Sequence, residues 1–381
     1  MQFALNEDQH AIRDMARGFA EAKIAPFALK WDEEKHFPVD TMREAASLGM
    51  GGIYIRDDVG GSALTRFDAA LIFEALAQGC PTVSAFVSIH NMASWMIDSH
   101  GSDAQRRRWL PKLCTMEWLA SYCLTEPGAG SDAAALRTRA VRDGDHYVLN
   151  GQKQFISGAG DTDILVTMVR TGGDGPGGIS TLVIDRDTPG VSFGANERKM
   201  GWNAQPTRAV IFENARVPVD NRLGEEGIGF KIAMAGLDGG RLNIAACSLG
   251  GAQAALDKTL AYARERKAFG KRLDEFQALQ FRLADMATEL EAARTFLWRA
   301  AAALDRKDPD ATQLCAMAKR FGTDVGFAVA NDALQLHGGY GYLAEYGMEK
   351  IVRDLRVHQI LEGTNEIMRL IVSRKLIEGG R

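Results

Sequence analysis

Cysteine is scarce in this chain and follows no pattern. The five residues, Cys80, Cys114, Cys123, Cys247 and Cys315, are odd in number and widely spaced. None forms the C-x-x-C pair that a zinc site or dithiol exchange requires, so free thiols in a reducing compartment are expected. The seven histidines are scattered, with no H-E-x-x-H among them, which speaks against a metalloenzyme and leaves no metal expected. A lipid-spanning run is missing too. The uncharged stretch from Ala75 to Ile97 is interrupted by Gln78, Pro81, Thr82, Ser84, Ser88 and Asn91, so it reads as buried helix and no membrane contact is expected. Nor is there a basic excess: the formal net charge of -4 speaks against nucleic acid as a partner. The opening residues place Glu7 and Asp8 where an export signal needs basic and then apolar positions.

What is present is a chain of 381 residues, longer than one hydrophobic core usually grows, so two or three packed subdomains are expected. Asn6 with Gln9 resembles a capping box, after which Ile12, Met15 and Phe19 recur at helical spacing until Pro26. Further helices are expected near Phe67–Leu76 and from Ser102–Asp103. The latter carries Arg106, Arg107 and Arg108, read as a solvated face. Around residue 120 the period shortens. Arg139–Arg142, His146–Leu149 and Gln152–Ser157 read as strands separated by the hairpin signals Asp143-Gly144 and Asn150-Gly151. Strands also follow at Ile164–Arg170, Ile179–Asp185 and Arg208–Glu213, with GGDGPGG at 172–178 as a flexible connection. Beyond Gly229 the chain reads as helical again. Leu279, Leu283, Met286, Leu290, Ala293, Leu297 and Leu304 form one heptad-like stripe. Asp308-Pro309 is expected to open the next helix, with Leu314, Met317, Phe321 and Val325 on its apolar face, and Gly338-Gly339 to stop it. The expectation is an α+β chain: helices over 1–119, a middle antiparallel β-barrel or sandwich over 120–228, and a C-terminal four-helix bundle over 229–381.

Three segments hold the candidate chemistry. YCLTEPGAGSD, Tyr122 to Asp132, leaves a strand for a glycine-rich turn that can approach a planar or anionic ligand. Taken alone it reads as a plain turn, since G-A-G is no full dinucleotide fingerprint and no βαβ unit surrounds it. In LEGTNEIMR, Leu361 to Arg369, Glu362 stands before Gly363 and so can occupy a bend facing a cavity. A solvated glutamate or helix cap fits those residues as well. QLHGGYGYL, Gln335 to Leu343, offers backbone to a ligand or a second subunit, or simply a helix C-cap.

In this order and at these distances the segments resemble the acyl-CoA dehydrogenase family over essentially the whole chain. The resemblance implies its helix, sheet, helix fold, FAD as cofactor, an acyl-CoA substrate, an electron-transferring flavoprotein as acceptor and a homotetramer. ALAQGCPTVSAFVSIHNMASWMIDSHG, KMGWNAQPTRAVIFENARVP and LRVHQILEGTNEIMR are similar to the family branch that acts on isobutyryl-CoA in valine breakdown. The resemblance further implies a bacterial cytoplasmic enzyme, or a mitochondrial matrix one if a transit peptide was removed. Tyr122, Cys123, Leu124, Thr125, Glu126, Pro127, Gly128, Ala129, Gly130 and Ser131, with Phe155, Ile156 and Ser157, would contact FAD within one subunit. Arg266, Phe276, Gln277, Gln335 and Gly339 would reach it across an interface, and Thr364, Asn365 and Glu366 would close over it. Ser131, Asp238, Gly239, Gly240, Arg241, Gly363 and Arg374 would line the acyl-CoA site. Phe155 stands where most of the family has tryptophan, which keeps an aromatic ring but removes an indole N–H.

By the same resemblance Glu362 is the base that takes the α-proton of the thioester while the flavin takes the β-hydride. Some branches carry the base in the segment that here reads GLDGGRLNIA, at the position of Gly240, so glycine there and glutamate at 362 decide the assignment. A buried carboxyl is expected to hold its proton more tightly than a solvated one. Open alternatives are a dehydrogenase for 2-methylbutyryl-CoA or butyryl-CoA, an acyl-CoA oxidase, and a non-catalytic flavoprotein.

Overall fold

The computed structural model describes residues 4–379. The N-terminal part is helical: α1 (Glu7–Phe19), α2 (Ala28–Glu34), α3 (Val39–Ala46), α4 (Arg66–Gly79), α5 (Pro81–His100) and α6 (Asp103–Cys114). Helix α1 opens on the expected capping box, in which Asn6 and Gln9 satisfy each other's backbone N–H groups. The same device recurs as Thr65 with Asp68 and Ser102 with Gln105. The uncharged Ala75–Ile97 stretch is buried as expected, but as two helices that break at Cys80, where Pro81 occupies the first turn of α5.

Arginine 106 does not lie on the expected solvated face. It is 3% exposed, and its guanidinium pairs with Asp98 at 2.9 Å and with Asp58. The triplet is therefore not a solvated face: its first member turns inward and ties α6 to α5 and the preceding loop, while Arg108 reaches Asp185 and Asn221.

The middle part is one eight-stranded sheet built from β1 (Ala120–Cys123), β2 (Arg139–Asp143), β3 (His146–Ser157), β4 (Ile164–Arg170), β5 (Ile179–Asp185), β6 (Val191–Phe193), β7 (Thr207–Pro218) and β8 (Arg222–Leu223). Its order is β6-β7-β3-β2-β4-β5-β8, with β1 beside β4 in parallel. The sheet is otherwise antiparallel apart from one parallel contact between β2 and β4. Asp143-Gly144 makes the expected hairpin turn, but Asn150-Gly151 does not. The chain runs straight through it in β3, and the register against β7 slips between Leu149 and Asn150 because Asn214 bulges out of β7 at φ 53°. Gly151, at φ 146°, has the Thr138 backbone 2.7 Å from where a Cβ would stand, so close approach and not a turn explains the glycine.

The C-terminal part comprises α7 (Gly229–Glu265), α8 (Gln277–Asp305), α9 (Ala311–His337), α10 (Met348–Arg356) and α11 (Asn365–Ile377), with a short hairpin of β9 (Lys267–Ala268) and β10 (Lys271–Arg272). Helix α9 starts two residues later than expected, after Asp310, and ends at Gly338 as expected. Helix α7, roughly 55 Å long at 1.5 Å per residue, packs against α4, α5, α8 and α9 and so borders both helical parts. The sheet is joined to this bundle at Trp202: its N–H donates to Asp354 at 2.7 Å, and its indole donates to His358.

Candidate active site

After α10 and the 3-10 turn Val357–Gln359, the chain bends through residues 360–364 before α11 begins. Glu362 and Gly363 both take left-handed conformations, at φ 57° and 85°. For glycine this is free, whereas for glutamate it costs ~1 kcal/mol or more. Thr364 then caps α11 by accepting from the Ile367 N–H. Asn365 is buried and bound to α9, donating to Asp324 at 2.7 Å and to Thr323 at 3.0 Å. The side chains of Thr364 and Asn365 therefore serve the fold, while Glu366 is exposed and pairs with Arg369.

The bend carries the Glu362 carboxylate to the point where α5, α7 and β1 converge. A Cβ on Gly240 would stand 2.5 Å from Glu362 Oε2 and 2.8 Å from Met92 Sδ. That oxygen is shut off from solvent and has no hydrogen-bond partner. Burial pushes the carboxyl up to about 7, against the opposing charges of Arg241 and Lys319. Two phenols face it, Tyr54 and Tyr122, and both hold their protons more tightly than usual because of burial. The Tyr122 hydroxyl is itself buried without a partner. Among the described residues no acceptor takes the Glu362 backbone N–H. On α7, Arg241 is buried and bonded to Asp238 at 2.6 Å, which in turn accepts from Thr312. Gly240, Arg241 and Gly363 thus border Glu362, while Asp238 sits behind Arg241 and Gly239 faces Arg66. Arg374 does not join them: it lies exposed in the last turn of α11.

A second group forms where β1 enters the glycine-rich turn. Thr125 accepts from the Gln154 N–H at 2.8 Å, bringing the turn beside β3. Phe155 follows at φ 59° with 62% of its surface exposed, an aromatic ring with no protein face to cover it. Gly128 and Gly130 have open space where a side chain would be, and Pro127, Gly130 and Ser131 are exposed. An open glycine backbone beside an uncovered ring is a fit for a planar group such as isoalloxazine. Cys123, Leu124, Ala129 and Ile156 point into the core and have only backbone to offer. Glu126 is likewise committed: it accepts from the Arg137 and Thr138 N–H groups and pairs with the fully buried Lys153 at 2.7 Å. The Lys153 ammonium also holds the Leu124 carbonyl, so this pair braces the turn from beneath.

Arg266, Gln335 and Gly339 line a separate cavity of about 530 Å³ together with Tyr262, Leu273 and His337. Phe276 and Gln277 follow Leu273 at the head of α8, within the same corner of the molecule. None of the residues lining it belongs to the glycine-rich turn or to the Glu362 bend. Tyr54, Arg66, Asn243, Lys153 and Lys319 were not marked by sequence reasoning. Lysine 319 had a visible signal: it sits at helical spacing among Cys315, Thr323 and Gly326, on the buried side of α9.

Three family models cover almost the whole chain in succession: the acyl-CoA dehydrogenase N-terminal domain over residues 6–117, the middle domain over 121–215 and the C-terminal domain over 227–377. The chain is 57% identical over 374 residues to the mitochondrial isobutyryl-CoA dehydrogenase of Bos taurus, covering 98% of this chain and 90% of that protein. Butyryl-CoA dehydrogenase from Megasphaera elsdenii superposes with a TM-score of 0.96 at 37% identity, over 99% of this chain and 100% of that one. PigA with FAD and proline superposes with a TM-score of 0.96 at 30% identity, over 100% of both chains.

Proposed function

The chain belongs to the acyl-CoA dehydrogenase family, and from that premise we propose that it oxidises isobutyryl-CoA to methacrylyl-CoA with Glu362 as base and FAD as cofactor. The observation that carries this reading is the buried, unpartnered Glu362 Oε2 lying against Gly240. An oxygen in that state keeps its basicity for an incoming proton. Gly240 supplies the room, because any side chain there would meet the carboxylate.

An α-proton next to a thioester is weakly acidic, so the base must be held in place and charge growing on the carbonyl oxygen must be met by a donor. Glu362 is suited to both tasks. Its carboxylate takes the proton, and its own N–H, unclaimed by any described acceptor, is assigned to the thioester oxygen. FAD, when bound, supplies the hydride acceptance that no side chain performs. Tyr122 to Ser131 and Phe155 to Ser157 would hold its flavin. Arg266, Phe276, Gln277, Gln335 and Gly339 would serve the cofactor of a neighbouring subunit in a homotetramer, and Thr364 to Glu366 would close over it. Ser131, Asp238 to Arg241, Gly363 and Arg374 remain the residues assigned to acyl-CoA.

The proposed acceptor of the electrons is an electron-transferring flavoprotein, and the proposed setting is valine breakdown in a reducing compartment. The five buried cysteines, none in a disulfide, support that compartment. The isobutyryl relative supports the branched acyl group. The test is anaerobic bleaching of the purified holoenzyme by isobutyryl-, 2-methylbutyryl-, butyryl- and isovaleryl-CoA. Fastest reduction by isobutyryl-CoA is expected, and a strong preference for the straight chain would overturn the assignment.

A further inference from the structure

The bend that bears Glu362 belongs to no helix or strand, yet it holds a glutamate in a left-handed conformation. Such a conformation persists only where the surroundings impose it. What grips the bend from below is Lys319 on α9. Its side chain is fully buried, and its ammonium donates to the Gly363 carbonyl at 2.7 Å and to Asn365 Oδ1 at 2.8 Å. Both acceptors are neutral, so the cation has no carboxylate in contact, an arrangement that burial makes costly. The negative groups that face it are Glu362, Asp324 and Glu366. Asp324 is already engaged by Asn365, Gln359 and Arg369, and Glu366 is exposed beside Arg369.

We propose that Lys319 is a positioning residue for proton abstraction: its grip on the Gly363 carbonyl fixes the left-handed bend, and its positive charge faces the Glu362 carboxylate and favours the anion that takes the proton. This rests on Glu362 being the base. The other groups facing Glu362 are Arg241 on α7, which adds to the effect, and the neutral Tyr54, Tyr122 and Cys247. Arg241 and His358 also face Lys319, and His358 is kept neutral by burial. Burial brings Lys319 down to about 7 and Glu362 up to about 7, so each charge supports the other in the range where the enzyme must work.

The experiment compares the wild-type holoenzyme with Lys319→Met, Lys319→Gln and Glu362→Gln, using isobutyryl-CoA and an added electron acceptor. Flavin content and melting temperature are recorded for each. Lys319→Met is expected to retain flavin, to lose at least tenfold in kcat with KM changed less than threefold, and to move the acid limb of kcat/KM upward by about one pH unit. Lys319→Gln keeps a donor for Gly363 but no charge, so it should recover part of kcat while the acid limb stays displaced. Wild-type kcat and an unmoved acid limb in folded Lys319→Met would overturn the proposal. So would failure of both lysine variants to fold, which would assign Lys319 to the scaffold alone. Undiminished turnover by Glu362→Gln would instead overturn the reading of Glu362 as base.

Discussion

Glutamate 362 carries two costs at once, a left-handed backbone and a half-buried carboxyl with one oxygen shut off from water. Both have measurable consequences. The folded state holds the proton more tightly than the unfolded chain, so stability present below the ordinary carboxyl value is lost as pH rises toward about 7. Above that point the ionised side chain costs up to ~3 kcal/mol, from a 1.36 kcal/mol scale per pH unit. Glu362→Gln should therefore melt higher than the wild type at pH 8, with the difference shrinking toward pH 5 in calorimetric scans. In the free wild-type enzyme, kcat/KM should rise with pH through about 7, because the base must be unprotonated. Gly240→Ala places a methyl 2.5 Å from Oε2. It should lower kcat at least ~10-fold, in line with displacement of a catalytic group, while flavin content is retained. The Glu-Gly dipeptide made the bend at 362 legible in the sequence. Lys319 is harder to read: a lysine in a helical run is ordinarily solvated, and its spacing with Cys315, Thr323 and Gly326 is the one local sign that it points inward.

At the scale of elements, helix starts were legible at Asn6 and Ser102, where a side chain closes a capping box, whereas the same device at Thr65 went unread. Elements whose limits depend on distant partners were not legible. Asn150-Gly151 has the chemistry of a tight turn, yet pairing with β7 carries β3 straight through it. Pro81 divides a buried stretch that periodicity alone left whole, and Arg106 is drawn inward by Asp58 and Asp98, one of them 48 residues away. The Lys153–Glu126 pair beneath the glycine-rich turn is of the same kind. Removing one partner of a buried pair typically costs ~3–5 kcal/mol, and here it also strands two backbone N–H groups. Glu126→Ala should lower stability by about that amount in urea titrations. It should also release flavin at lower denaturant than the wild type, since the turn would lose its brace.

For the molecule as a whole, helix, sheet and helix follow one another as periodicity indicates; α7 and its neighbours share one core with part of the sheet, while the rest of the sheet encloses a second. The division of the assigned cofactor residues was less legible. Tyr122 to Ser131 and Phe155 lie together, while Arg266, Gln335 and Gly339 line another cavity, and a linear sequence does not say whether such groups meet within one chain or between two. If the second cavity serves a neighbouring subunit's cofactor, Arg266→Ala should weaken flavin retention on dilution, measured by absorbance after gel filtration, without moving the acid limb of kcat/KM. All of this depends on the Glu362 carboxylate reaching the α-carbon of the thioester. The most direct measurement is anaerobic mixing of flavin-loaded Glu362→Gln with isobutyryl-CoA while flavin absorbance is followed. Ligand binding with reduction slowed at least ~10³-fold is predicted, the scale of an essential base; reduction within tenfold of the wild-type rate would contradict it.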